Sequence, residues 1–195
     1  MRINARLIFV TVRFLRAVFA LIFAVVGGAA TGASAAHDRR TIGTYIDDEG
    51  IELKIRLDIF NARELNSQIH INIISINGVV LLVGQAPTEA LKQQAGDIAR
   101  SVEKVRLVHN EMTIAAPNSM MTRSSDSLIT AKVKADLFGI KGHEGFDPTR
   151  VKVVTENGIV YLMGILYRNE AAAVTERARQ VSGVQKVVKL FEYID

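Results

Sequence analysis

The 195-residue chain carries 24 basic and 20 acidic residues, is 49% hydrophobic and has no cysteine. Without cysteine there are neither disulfides nor a thiol for catalysis, metal ligation or lipid attachment. Four of the 24 bases stand within the first 16 positions and the first acid is Asp38, so the remaining chain sets 20 bases against 20 acids; the clustered basic excess of a nucleic-acid binder is missing, and no nucleic-acid partner is expected.

Arg2, Arg6, Arg13 and Arg16 lead into an apolar run from Ala17 to Val26, followed by small residues up to Ala33-Ser34-Ala35-Ala36. Basic leader, short apolar stretch and small-residue cleavage site are the layout of a secretory signal. The strongly apolar part is about half the roughly twenty residues a spanning helix needs. The expectation is therefore export with cleavage near Ala35, an uncleaved anchor being the alternative. Residues 1–35 are assigned to this signal and 36–45 to an N-terminal extension.

The rest of the chain says nearly the same thing twice. Asn77-Gly78-Val79-Val80-Leu81-Leu82-Val83-Gly84 recurs as Asn157-Gly158-Ile159-Val160-Tyr161-Leu162-Met163-Gly164, and Lys54 to Phe60 recurs as Lys132 to Phe138. In the first copy, Ile51, Ile55 and Ile59 fall at helical spacing, and Ile69, Ile71 and Ile73 then alternate with His70 and Asn72 as in a strand. Asn77-Gly78 between two apolar runs predicts a two-residue hairpin turn, with Gly84 ending its second strand. Leu91, Ala95, Ile98 and Val102 trace a second helix, and Val105 to Ile114 a third strand.

The second copy reads alike: helix Leu128 to Phe138, strand Val151 to Thr155, strand Ile159 to Met163, helix near Ala171 to Val181, strand Val184 to Ile194. The fold class is α+β, two tandem αββαβ modules, each a three-stranded mixed sheet packed on two helices. They span 46–114 and 126–195, joined by a polar linker at 115–125 that contains Pro117. Each module is small enough that a lone core is marginal, so the two are expected to pack together or share a partner surface.

The first helix of each copy has too many apolar residues for one face. At about 100° per residue, Ile129, Val133, Leu137 and Ile140 form one stripe, and Leu128, Ala131, Ala135 and Phe138 another nearly opposite, flanked by Lys132 and Lys134. The first copy sets Ile51, Ile55 and Ile59 against Leu53, Leu57 and Phe60, flanked by Lys54 and Arg56. One stripe covers the module's own sheet. The other either meets its counterpart at the seam between modules, or lies against an anionic membrane surface, or docks a partner protein.

Charge favours the second copy for lipid. Asp47-Asp48-Glu49 crowd the start of the first helix, where they suit its dipole but oppose anionic headgroups. The candidate membrane face is Leu128, Lys132, Lys134, Phe138, Gly139, Ile140 and Lys141.

A search for reactive groups yields no catalytic set. His37, His70, His109 and His143 stand apart from one another and from acids at ligand spacing, so neither a metal site nor any other cofactor is expected. Gly139, Gly142 and Gly145 follow a helix and lack the strand-to-helix context of a phosphate loop. Asp47-Asp48-Glu49 lack the alternate spacing of a calcium loop. The chain is read as a non-enzyme.

The αββαβ order, the Asn-Gly hairpin, the glycine after it and the runs Val102-Glu103-Lys104-Val105 and Val181-Ser182-Gly183-Val184 resemble the BON domain, over about Asp38 to Ile194. Thr41 to Asp48, Val79 to Pro87 and Thr155 to Gly164 are similar to the family's dual-domain members in particular. That resemblance implies a periplasmic protein peripherally associated with the outer membrane, binding anionic phospholipid through its second domain, supporting envelope integrity and linked to the division site. Envelope or division-site proteins are the other implied partners, and a lipid-independent interaction scaffold is the alternative function. Such relatives are typically lipoproteins anchored through a cysteine after the signal, which this sequence lacks. Their second-domain helix commonly carries an aromatic residue where Leu128 stands, leaving Phe138 as the aromatic group available.

Overall fold

The computed structural model describes residues 39–141 and 145–194. The signal segment, His37, Gly142 and His143 lie outside them. Helix α1 spans Ile42–Asn61, capped by Thr41, whose hydroxyl accepts the Thr44 N–H; a short α2 (Arg63–Asn66) follows. Strands β1 (His70–Ile76) and β2 (Val79–Ala86) form a hairpin, α3 (Glu89–Ser101) crosses over it, and the third strand runs parallel to β2 in two pieces, β3 (Leu107–Asn110) and β4 (Thr113–Ile114).

The second module repeats the plan. Its elements are α4 (Met120–Leu137), a 3-10 turn at Pro148–Arg150, β5 (Lys152–Glu156), β6 (Ile159–Leu166), α5 (Arg168–Arg179) and β7 (Lys186–Tyr193), with sheet order β5-β6-β7.

Each hairpin turn is built as its sequence demands. Asn77 and Asn157 both sit at φ 52°, with Gly78 and Gly158 at 72° and 71°, the positive values required by the two-residue turn that matches strand twist. Gly84 and Gly164, expected to end their strands, lie inside them instead. A Cβ on Gly84 would come within 2.0 Å of the His70 carbonyl oxygen, and one on Gly164 within 2.6 Å of that of Arg150, so these glycines let neighbouring backbones close up within the sheet.

Both α1 and α4 start earlier than the apolar periodicity suggested. The Ser/Thr-rich stretch read as linker is helical from Met120, with the Ser119 hydroxyl accepting the Thr122 N–H. Asp48 consequently lies in the second turn of α1, not at its N-terminus, and the first turn holds no acid. Its carboxylate is buried and turned toward the hairpin, accepting from the N–H groups of Asn77 (2.7 Å) and Gly78 (2.8 Å), the Ser75 hydroxyl (2.6 Å) and Arg40 (2.7 Å). Asp126 does the same in the second module, taking the N–H groups of Asn157 and Gly158 at 2.9 Å each. Such turns leave N–H donors aimed away from the ladder, and burial makes an acceptor obligatory.

The modules stack through their sheets. Val80, Leu82 and Ala86 face the first module's own helices, whereas Leu81 and Val83, with Ile74, join Tyr161 and Met163 of the second module in a separate core. Val160, Leu162 and Leu166 face α4 and α5. Burial on both faces is why β2 and β6 read as unbroken apolar runs instead of alternating. At the margin of this seam the buried Glu156 carboxylate accepts from Gln85 (2.6 Å) and Asn118 (2.9 Å), and Asn118 donates its backbone N–H to Gln85. The layers are thus helices, sheet, sheet, helices. The seam belongs to the sheets, not to the outer helix stripes.

Arg39 ties the start of the described chain to the second module. Its guanidinium donates to both Glu170 oxygens, at 2.6 and 2.8 Å, and to the Ile165 carbonyl, while stacking over Tyr167 at 4.6 Å. Burial alone would raise the Glu170 carboxyl, but the hydrogen bonds from Arg39 and the Tyr167 N–H, with the charges of Arg39 and Arg150, outweigh it and hold it below the usual carboxylate range.

Two outcomes follow. Asp126→Ala orphans two buried turn donors and should lower unfolding stability by on the order of 2 kcal/mol or more, measured by urea denaturation, whereas Ser127→Ala beside it should change stability by less than about 0.5 kcal/mol. Because Glu170 titrates lower folded than unfolded, its contribution is present above about pH 4.3 and lost as pH falls through the folded value. Glu170→Gln should therefore flatten the acid limb of the stability profile.

Candidate functional site

Helix α4 is amphipathic twice over. Ile129, Val133 and Leu137 are buried against β5, β6 and α5. On the far side Leu128 is 57% and Phe138 67% exposed, with Ala131 and Ala135 open between them. Met120 and Met121, in the first turn of α4 and within the 115–125 linker expected from sequence, extend this exposed apolar face. The face is open because the inner stripe already satisfies the module's sheet and because the two modules meet elsewhere.

Lys132 and Lys134 project to either side of the strip, about 100° each way from the buried Val133. Both are exposed, as is Lys141 just past the helix end, and none of the three makes a hydrogen bond or ion pair among the described residues. The nearest acid on the helix, Asp136, is paired with Arg177 at 2.9 Å. Gly139 is exposed and Arg177 packs over it, 2.8 Å from where a Cβ would stand. Ile140 departs from the group: half-buried, it packs on the module core with Phe146, as its phase with Ile129, Val133 and Leu137 requires. Six of the seven candidate residues thus share an accessible surface with three uncommitted ammonium groups.

Sequence periodicity missed Met120 and Met121, because they stand ahead of the polar run 122–127 and carry no apolar partner at helical spacing until Leu128. The only signal was Ser119 as a cap, without the acidic residue that completes a capping box.

The corresponding face of α1 is also open, with Ile42, Ile46, Leu53, Leu57 and Phe60 exposed. Its charges differ in kind. Lys54 pairs with Asp58 and Asp47 with Lys104, so α1 presents mixed, partly neutralised charge where α4 presents free lysines. Burial raises the Glu52 carboxyl above the usual range, against the opposing hydrogen bond from the Ser75 N–H.

A cleft of about 550 Å³ opens between edge strands β1 and β5, with Arg56, His70, Arg123 and Thr130 among its walls. Its two carboxylates, Asp126 and Glu156, are committed to the turn and the seam. Nothing in it pairs a nucleophile with a base. Among the described residues no group of three His, Asp or Glu side chains could hold a metal ion, and no helix is long and apolar enough to cross a membrane.

Comparison with known proteins agrees with the repeated architecture. The BON domain family matches at residues 47–116 and again at 125–195. The chain is 40% identical over 172 residues to the Outer membrane lipoprotein DolP of Haemophilus influenzae, covering 88% of each chain. It is 37% identical over 157 residues to the 21 kDa hemolysin of Actinobacillus pleuropneumoniae, covering 80% of this chain and 79% of that one. Similarity to the Osmotically-inducible protein Y of Escherichia coli is lower, 26% over 151 residues. Two matches that each begin inside a first helix and run through a whole αββαβ unit, with a relative aligned along most of both lengths, settle the family: the chain belongs to the BON domain family, as a protein of two tandem BON modules.

Proposed function

We propose that this is a non-catalytic envelope protein that associates from the periplasmic side with the outer membrane, supports envelope integrity, and binds anionic phospholipid through the exposed face of α4. The observation that carries the reading is that face itself: Leu128, Ala131, Ala135 and Phe138 are uncovered by either module, and Lys132, Lys134 and Lys141 edge them. Similarity to a relative named as an outer membrane lipoprotein supports the location. No cysteine stands in this sequence, so the contact proposed here rests on protein surface.

An amphipathic helix lies at a bilayer interface when its apolar side chains reach the acyl boundary and its cations meet the headgroups. Fully burying a Leu, Met or Phe side chain is worth about 1.5–3 kcal/mol, and each lysine near an anionic surface about 1 kcal/mol. Neither contribution alone makes a firm attachment. Together they select anionic over zwitterionic lipid and make binding salt-sensitive.

Co-sedimentation with vesicles containing anionic phospholipid is expected to retain the protein, and zwitterionic vesicles to release it. Phe138→Glu combined with Lys134→Glu should cut anionic-vesicle binding by more than about tenfold, the equivalent of about 1.4 kcal/mol. Binding that survives this double substitution, or that is equal on both vesicle types, removes the reading.

A further inference from the structure

The exposed face of α1 differs from that of α4 in a way that points to another occupant. Ile46, Leu53 and Phe60 recur at every seventh position, with Ile42 and Leu57 beside them, along a 20-residue helix about 30 Å long. All five are exposed. Charges border this strip on both sides, and on each side the acid comes seven positions before the base: Glu49 and Arg56 on one, Asp47 and Lys54 on the other. Turned end for end, the helix sets each acid of one copy beside a base of the other.

We propose that α1 is the interface for a second copy of this chain, the two helices packing antiparallel about a two-fold axis near residues 51–52. The interface is isologous, the same patch meeting itself. Glu49 and Arg56 make no hydrogen bond or ion pair among the described residues, although both act electrostatically on Glu52 and Arg56 also lines the cleft. Asp47–Lys104 and Lys54–Asp58 are exposed pairs that cost little to exchange. Gly50 supports a close approach at the same place. It is exposed in the helix interior, a Cβ added there meets nothing within 4 Å, and its backbone is ordinary, so nothing within its own chain requires the loss of helix stability a glycine brings. Near the two-fold axis it leaves room for the partner helix.

A lipid occupant fits less well, because the borders hold as many acids as bases. The helix pair alone makes an interface at the small end of specific contacts, below about 1,200 Å² in total, so association is weak and concentration-dependent. The proposal is independent of lipid binding by α4, and lipid-free experiments test it.

Sedimentation velocity of the purified protein between about 1 and 200 μM should show a monomer passing to a dimer. Glu49→Arg and Arg56→Glu should each shift the midpoint more than tenfold toward monomer, and the two changes in one chain should restore the dimer, since the swapped pair is again complementary. With no native cysteine, single cysteines report the register: Gly50→Cys should cross-link to itself on oxidation, and Ile42→Cys only to Phe60→Cys. Circular dichroism and thermal melting confirm that each variant folds. A monomer throughout the concentration range, no restoration in the double swap, self-cross-linking of Ile42→Cys, or a dimer that persists in folded Leu53→Glu/Phe60→Glu would each overturn the proposal.

Discussion

The whole arrangement depends on β2 and β6 being buried on both faces. A three-stranded sheet covered by helices on one side still has an apolar surface on the other, and in a module of this size that surface is too large to leave wet. Here each module solves the problem with the other: Leu81 and Val83 lie against Tyr161 and Met163, and the polar margin of Gln85, Asn118 and Glu156 seals the contact. Once the sheets face each other, the helices must lie on the outside. Their surplus apolar faces are then exposed by topology, not by poor packing.

Within that frame the two copies keep what is structural and differ in what is not. Both retain a buried aspartate on the first helix that satisfies the Asn-Gly turn, Asp48 and Asp126, and both retain a glycine in the second hairpin strand where an earlier backbone segment comes close, His70 at Gly84 and Arg150 at Gly164. The outer faces are under no such constraint. On α4, lysines stand free beside the apolar strip; on α1, acids and bases alternate at a spacing that complements itself. A membrane supplies anionic charge of one sign and rewards the first pattern. Only a surface with ordered charges of both signs rewards the second.

How much of this was legible in the sequence depended on whether the signal was local. Asn77-Gly78 and Asn157-Gly158 announce their hairpins because the backbone itself selects those residues, and the helical phase of Ile129, Val133 and Leu137 separates buried from exposed positions; the same phase puts Ile140 on the core side, against its assignment to the candidate membrane face. Tertiary bonds were not legible. Asp48 stands in a run of acids that charge alone attributes to the helix dipole, and only the folded hairpin shows that two turn N–H groups need it. The helical start at Met120 was hidden by serines and threonines whose intrinsic preference is for caps and loops, overridden because Asp126 must sit a helical turn inside α4 to reach its hairpin. Gly84 read as a strand end because glycine interrupts strands more often than it joins them. Its true role depends on His70, fourteen positions earlier in the sequence.

Since both sheets lie between α1 and α4, these helices belong to opposite outer layers, although both contribute to the walls of the cleft at β1 and β5. A bilayer bound as proposed, through Leu128 and Phe138, would leave Leu53 and Phe60 in a different layer of the molecule from the lipid contact. Two apolar strips on one small protein would compete for the same lipid if they were neighbours. Opposed as they are, each is free to take its own occupant, and the duplication that made them alike also placed them where they can do different work.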